Sequence, residues 1–455
     1  MSGLAALGFL AALTATTPAP ALAAPATPQQ HSKADWTIVV YADGANNLSE
    51  SIAGRVQQMI VAGVPDNVNV IVRQARMVNE NCKTVERVND FRITTRSERR
   101  AGAANTVPLP GGAVEANLDM GSAQTLSDIL LRAPREFPAR HYMLVDLDHG
   151  GDEYGMNNDD PHHSHHDLQD VQAVFAAFKR VNGGQALEVA HLDGCLMLGA
   201  EVLAQLHDDV HFVLGSEDDV KVPGYDISQI PGMASQYSDP SQYVRAAVGN
   251  ADAGSAYHTI AAFDETRYPP LGRAMRSMTS AVMALKGDEL RRFYQDAANA
   301  RRVYEGYAAY PARVDLVDAA QRLLSDPDLS RHQRALALAA GEVLKTAQQG
   351  LVAERHRIPQ DPFAAPSLTA PLDATQQQHT HGISVMLPSA APRDYVVYGA
   401  EGRADDARPF RFAVDTSWNL VLKAVRPLTP PPPPPRQEPP APPAPSCVTS
   451  VVAAR

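Results

Sequence analysis

A thiol and an imidazole stand at matching places in this chain. His149 follows the apolar run His141-Tyr142-Met143-Leu144-Val145-Asp146-Leu147-Asp148 and precedes Gly150-Gly151. Cys195 follows Leu187-Glu188-Val189-Ala190-His191-Leu192-Asp193-Gly194, 46 residues later. A neutral thiol is a weak nucleophile, and a histidine within reach either deprotonates it or stabilises the thiolate. Two strands of one parallel sheet would deliver the pair to the sheet's C-terminal edge, where α/β sites form. The N–H groups of Gly150 and Cys195 are candidate oxyanion donors. A helix starting at or just after Cys195 would lower the thiol pKa, and Gly194 would let a substrate backbone approach. The pattern is that of a cysteine hydrolase.

The elements needed to position these groups are legible. Trp36 to Ala42 and Val68 to Val72 read as buried strands. Between them, Asp43-Gly44-Ala45-Asn46-Asn47 turns the chain, and Leu48, Ile52, Val56, Met59 and Ile60 mark an amphipathic helix. Residues 74–117 are polar and Arg-rich and predict a hairpin with a loop around Pro108 to Gly112. A helix opens at Gly121-Ser122, and another spans Asp167 to Val181 with Leu168, Val171, Val174, Phe175 and Phe178 on one face. After Cys195, a helix carrying Leu196, Gly199, Leu203 and Leu206 leads to a strand at Val210 to Gly215. This alternation predicts an α/β fold, a mainly parallel sheet flanked by helices over about 35–235. A mostly helical extension over about 236–380 follows, with a late strand at 383–387 returning to the sheet.

Composition sets the outer bounds. With 455 residues and a formal net charge of -11, the chain has room for a large core and lacks the basic balance of a nucleic-acid binder. Residues 1–24, with the small-x-small site Ala21-Leu22-Ala23, read as a signal peptide, which predicts a secreted or periplasmic protein. No other stretch suggests a transmembrane segment. Residues 427–455, beginning near the run Pro430 to Pro435, read as a disordered, proline-rich spacer suited to surface tethering. Of the three cysteines, Cys82 lies in a polar loop sequence and Cys447 in the tail, so Cys195 is the natural free thiol.

The order of histidine and cysteine resembles that of caspases, without their sequence signature. A more specific resemblance is to the clostripain family of cysteine peptidases, which share a caspase-like fold. It rests on Trp36-Thr37-Ile38-Val39-Val40-Tyr41-Ala42-Asp43-Gly44-Ala45-Asn46-Asn47-Leu48, Asp119-Met120-Gly121-Ser122, Asp148-His149-Gly150-Gly151, Asp193-Gly194-Cys195-Leu196-Met197, Gly382-Ile383-Ser384-Val385-Met386-Leu387-Pro388 and Asp415-Thr416-Ser417-Trp418. It covers roughly residues 35–426. The resemblance implies that Cys195 is the nucleophile and His149 the general base or ion-pair partner, working through a thioacyl intermediate without a cofactor. It also implies cleavage after Arg or Lys, with Asp193 as the pocket carboxylate and Asp226 as a second candidate. A charge-assisted hydrogen bond there contributes about 1.5–3 kcal/mol.

Three features stay open. Asn157 to His166 carries four histidines beside two aspartates, which reads as a solvated loop or a metal site of unknown kind. Some family members need calcium, and Asp152, Glu153, Asp159 and Asp160 are possible oxygen ligands. Lys179-Arg180 suits self-cleavage but ends an expected helix. The leading reading is a secreted endopeptidase acting on proteins or peptides with Arg or Lys. The alternatives are a non-catalytic surface or metal-binding protein on the same fold, or a caspase-like peptidase of other specificity.

Overall fold

The computed structural model describes residues 34–80, 83–251, 259–300, 302–303, 313–356, 378–387 and 410–428. The expected signal peptide, the proline-rich tail, Cys82 and Cys447 lie outside the described residues. In chain order the strands are β1 (Ala34–Ala42), β2 (Val68–Glu80), β3 (Lys83–Ile93), β4 (Thr106–Pro108), β5 (Ala139–Leu147), β6 (Met156–Asp159), β7 (Ser164–His166), β8 (Leu187–Asp193), β9 (Val210–Gly215), β10 (Thr259–Asp264), β11 (Arg302–Val303), β12 (Arg313–Asp315), β13 (Leu351–His356) and β14 (Ser384–Met386).

Nine of these strands form one sheet in the order β13-β10-β9-β8-β5-β1-β2-β3-β4. Its centre, β9-β8-β5-β1-β2, is parallel. Both flanks are antiparallel, with β3 and β4 on one side and β10 and β13 on the other. The central strands are apolar through their middles, as in Ile38 to Val40, Val70 to Val72 and Met143 to Val145, because helices cover both faces. Along β1, Trp36, Ile38 and Val40 pack into one core, and Val39 and Tyr41 into the other. Helix Ser49–Ala62 closes the first core with Ile52, Val56 and Met59. Helix Leu168–Val181 closes the second, burying Leu168, Val171, Val174, Phe175 and Phe178, the face expected from its periodicity. The Arg-rich stretch forms a long β2–β3 hairpin, in which Arg73 and Asp90 stand opposite each other as a buried 2.6 Å ion pair.

The C-terminal half differs from expectation in two respects. It contributes β10 and β13 to the main sheet, within a region read as mostly helical. The short β10 carries two alanines, and every residue of the edge strand β13 is half-buried, so neither shows a clean alternation of apolar and polar residues. The late strand forms but does not return to the main sheet. Instead, β14 pairs antiparallel with β12 in a small three-stranded sheet. It is held there by Ser384 N donating to Leu198 O at 3.2 Å and by the Trp418 indole donating to Met386 O at 2.9 Å.

Candidate active site

The parallel register of β5 and β8 ends with Leu147 opposite Asp193. His149 and Cys195 each lie two residues beyond that pair, on adjacent turns at the same sheet edge. The turns touch. A Cβ on Gly150 would stand 2.5 Å from Cys195 O, and one on Gly194 would stand 3.0 Å from both Asp148 O and Gly150 N. The role expected of Gly194, room for a substrate backbone, is therefore replaced by room for the neighbouring turn.

The His149 turn is set by side chains. Asp148, buried, accepts from Asn46 Nδ2 at 2.7 Å and from Asn158 N at 2.6 Å. His149 Nε2 lies 2.8 Å from Asn47 Oδ1. Because that oxygen only accepts, Nε2 carries the proton and Nδ1 keeps a free lone pair. Burial holds the His149 pKa below the ordinary histidine value, although Asp160 and Asp219 pull the other way. The shift favours the neutral imidazole.

The Cys195 turn is set by backbone. Leu196 takes a left-handed φ of 65°, rare for a residue with a side chain. Leu196 N donates to Asp218 O at 3.1 Å and Leu198 N to Ser216 O at 2.9 Å. The expected helix does not start here. It begins at Ala200 after an N-cap at Gly199, so Cys195 gains nothing from a helix N-terminus. The thiol donates to Asp219 Oδ1 at 2.9 Å and receives Val220 N at 3.3 Å. Burial, followed by the Asp219 carboxylate, pushes its pKa well above that of a free thiol. Both shifts favour the neutral thiol and the neutral imidazole over an ion pair. The N–H groups of Gly150 and Cys195 are taken up by no hydrogen bond among the described residues.

The clostripain family model matches residues 40–357. The chain belongs to the clostripain family. Solved structures with the same fold include a secreted C11 cysteine protease from Bacteroides thetaiotaomicron in complex with an irreversible peptide inhibitor, at 14% identity and TM-score 0.58, covering 85% of this chain and 99% of that one. "Iotapain", a secreted C11 cysteine protease of the same organism, gives 15% and 0.57, covering 86% and 99%. An inactive zymogen C11 protease from Parabacteroides distasonis gives 16% and 0.55, covering 78% and 93%. No curated protein matches the chain. With its clostripain-family membership and caspase-like fold, the protein is a cysteine endopeptidase.

The two aspartates expected at a basic-side-chain pocket are both engaged. Asp193, buried, forms an ion pair with Arg55 of helix Ser49–Ala62 and accepts from Tyr225 N at 3.3 Å. Arg55 also donates to Tyr225 O, from Nη2 at 2.9 Å and Nε at 3.2 Å. Asp226 caps the short helix Ile227–Gln229, accepting from Ser228 N at 3.1 Å and Gln229 Nε2 at 2.8 Å. Partial burial pushes its pKa up, but the Ser228 and Gln229 bonds outweigh this and hold it below the usual value.

Asp152 and Glu153, read as possible calcium ligands, are instead ion-paired with the buried Arg313, which also pairs with Glu201. Asp160 is exposed, while Asp159 is buried next to His162. The histidine-rich segment is the β6–β7 hairpin, with His166 buried and His163 and His165 exposed. Lys179-Arg180 lies inside helix Leu168–Val181, where Lys179 Nζ donates to Asp208 O at 2.5 Å, so a protease would have to unwind it. Sequence reasoning missed Asn47, Asp219 and Arg55. Only Asn47 carried a signal, as part of the Asn46-Asn47 turn. The others come from a loop that approaches Cys195 and a helix face that approaches Asp193, both tertiary facts.

Proposed function

We propose that this clostripain-family cysteine endopeptidase uses His149 and Cys195 as its dyad and cuts after Arg or Lys. The observation that carries the reading is the register: both residues lie two positions past the Leu147–Asp193 pair, on touching turns. In the proposed cycle Cys195 Sγ leaves Asp219 and adds to the scissile carbonyl carbon while Nδ1 of His149 takes the thiol proton. The N–H groups of Gly150 and Cys195 receive the developing oxyanion. The C–N bond breaks as the leaving amine takes the proton from His149. Water, deprotonated by the same nitrogen, then hydrolyses the thioester, and the Sγ–C bond breaks to free the acid product as His149 returns that proton to Sγ. No cofactor enters the chemistry.

For specificity, Asp193 is the proposed pocket carboxylate, with Asp226 as an outer acceptor. The support is that the surroundings of Asp193 already accept a guanidinium, that of Arg55, with Tyr225 O as second acceptor. The same pair also favours a second reading: Arg55 neutralises Asp193, and the peptidase prefers another residue before the scissile bond. Residues 35–426 form the proposed peptidase domain, exported by a signal peptide at 1–24 and spaced from a surface by the tail at 427–455. Its substrates would then be extracellular or periplasmic proteins and peptides. Among the described residues no helix is long and apolar enough to cross a membrane.

Matched fluorogenic peptides ending in Arg, Lys, Asp or Leu, tested on the wild type and Cys195→Ala, decide between these readings. Cleavage after Arg or Lys that vanishes in Cys195→Ala is the expected result. Cleavage only after another residue would retain the dyad and remove Asp193 as the pocket base. Undiminished cleavage by Cys195→Ala would overturn the dyad.

A further inference from the structure

Away from the dyad, the β2–β3 arm and the β6–β7 hairpin meet around a small group of polar side chains. Glu86 projects from β3, Asp159 ends β6, and His162 sits in the hairpin turn. Glu86 is 3% exposed and Asp159 1% exposed. Both carboxylate oxygens of Glu86 lack a hydrogen-bond partner. Its nearest cationic group is His162 Nδ1, 3.4 Å from Oε2. That same nitrogen lies 2.9 Å from both oxygens of Asp159. Asp159 is oriented by the backbone, accepting from Met120 N at 2.7 Å and His162 N at 2.9 Å.

An isolated buried carboxylate is costly unless it is paired with a cation or binds a metal. Here two carboxylates share one partly exposed imidazole. Burial, with Asp159 adding to it, pushes the Glu86 pKa up to about 7. One donor atom from each of the three residues lies within 4.8 Å of the other two. A tetrahedral ion with ligands at zinc's usual distances holds its donors about 3.3 Å apart. The two spacings at His162 Nδ1, 2.9 and 3.4 Å, are already close to that.

We propose that Glu86, Asp159 and His162 bind one divalent transition-metal ion of the zinc class. Two carboxylates and one imidazole suit such an ion, whereas calcium takes six to eight oxygen ligands. The ion neutralises the buried negative charge and clamps the β2–β3 arm to the hairpin that leaves the His149 turn. Its role is structural and its site is separate from the dyad.

The test uses the full chain carrying Cys82→Ala, Cys195→Ala and Cys447→Ala, which removes all three competing thiols. Zinc is titrated against a chromophoric chelator, and the melting temperature is read with and without zinc. One tight site is expected. Glu86→Gln and His162→Gln should each weaken it by at least about tenfold, a conservative bound from what losing even an outer-shell partner costs. His163→Ala and His165→Ala should leave it unchanged. Zinc should raise the melting temperature of the parent and not that of Glu86→Gln, whose metal-free form should melt no lower than the parent. Should Glu86→Gln not fold, His162→Gln carries the same comparison. Zinc affinity unaffected by Glu86→Gln and His162→Gln, loss of the site in His163→Ala or His165→Ala, or a site that takes calcium but not zinc would each overturn the proposal.

Discussion

The two turns that leave β5 and β8 occupy equivalent places and are built by opposite means. The His149 turn is a side-chain construction, with Asp148 held by Asn46 and Asn158 and the imidazole held by Asn47. The Cys195 turn is a backbone construction, with Leu196 in the left-handed region and N–H bonds reaching back to residues 216 and 218. The proposed base therefore depends on hydrogen-bonding side chains that mutation can remove one at a time. The proposed nucleophile depends on close backbone contacts that tolerate little added volume. The resting protonation states follow from the same contrast. The imidazole is half-buried, which favours its neutral form, while the thiol is half-buried against a carboxylate, which favours its protonated form.

Removing either reacting group tests the shared centre. Cys195→Ala and His149→Ala should each lower peptide hydrolysis by about a thousandfold or more, with near-native melting temperatures. The next effect belongs to the contact between the two turns. In Gly150→Ala the new methyl meets Cys195 O at 2.5 Å and the Met197 side chain at 2.7 Å, so the turns must separate. Stability should fall by about 1–3 kcal/mol in chemical denaturation, and kcat should fall more than KM rises.

On the histidine side, Asp148→Ala leaves Asn158 N without its acceptor and Asn46 Nδ2 with Asn158 O alone. A loss of about 1–2 kcal/mol is expected, with kcat reduced and Cys195 alkylation unchanged, because the thiol is placed by other bonds. Asp219 touches both sides. Its carboxylate raises the Cys195 and His149 pKa values alike, so Asp219→Asn lowers both. Alkylation of Cys195 at pH 7 should accelerate, because a lower thiol pKa leaves more of the sulfur as thiolate at the assay pH.

The smallest effect is in the pH profile. Activity requires neutral His149 and is lost as pH falls through its pKa. Because burial lowers that pKa, the acid limb of kcat/KM should lie below the ordinary histidine value of 6.5. In Asp219→Asn it should move lower still. A limb above 6.5 would argue against His149 as the titrating base.

Much of this was legible because the parallel centre is apolar on both faces. Unbroken runs such as Met143 to Val145 and Val189 to Ala190 have no other stable placement, and they fix where His149 and Cys195 emerge. The Leu168–Val181 face was equally readable from its period. The start of the helix after Cys195 was not, since Leu196 to Leu198 are buried in a turn and apolar residues there resemble a helix face. Strands β10 and β13 were hidden for want of alternation. The partners of Asp193 and Cys195 were hidden because Arg55 and Asp219 reach them only through packing. The histidine-rich segment was readable as polar but not as half-buried, because its inward residues Asp159, His162 and His166 depend on the hairpin pairing and on the β3 arm.

The most direct test of the central claim is to map the adduct formed by a peptide carrying a thiol-reactive electrophile after Arg. Labelling of Cys195 alone, with labelling of Cys82 and Cys447 absent and the rate greatly reduced in His149→Ala, is the result the account predicts. Labelling at Cys82 or Cys447 that tracks the loss of activity, or labelling of Cys195 at an undiminished rate in His149→Ala, would contradict it.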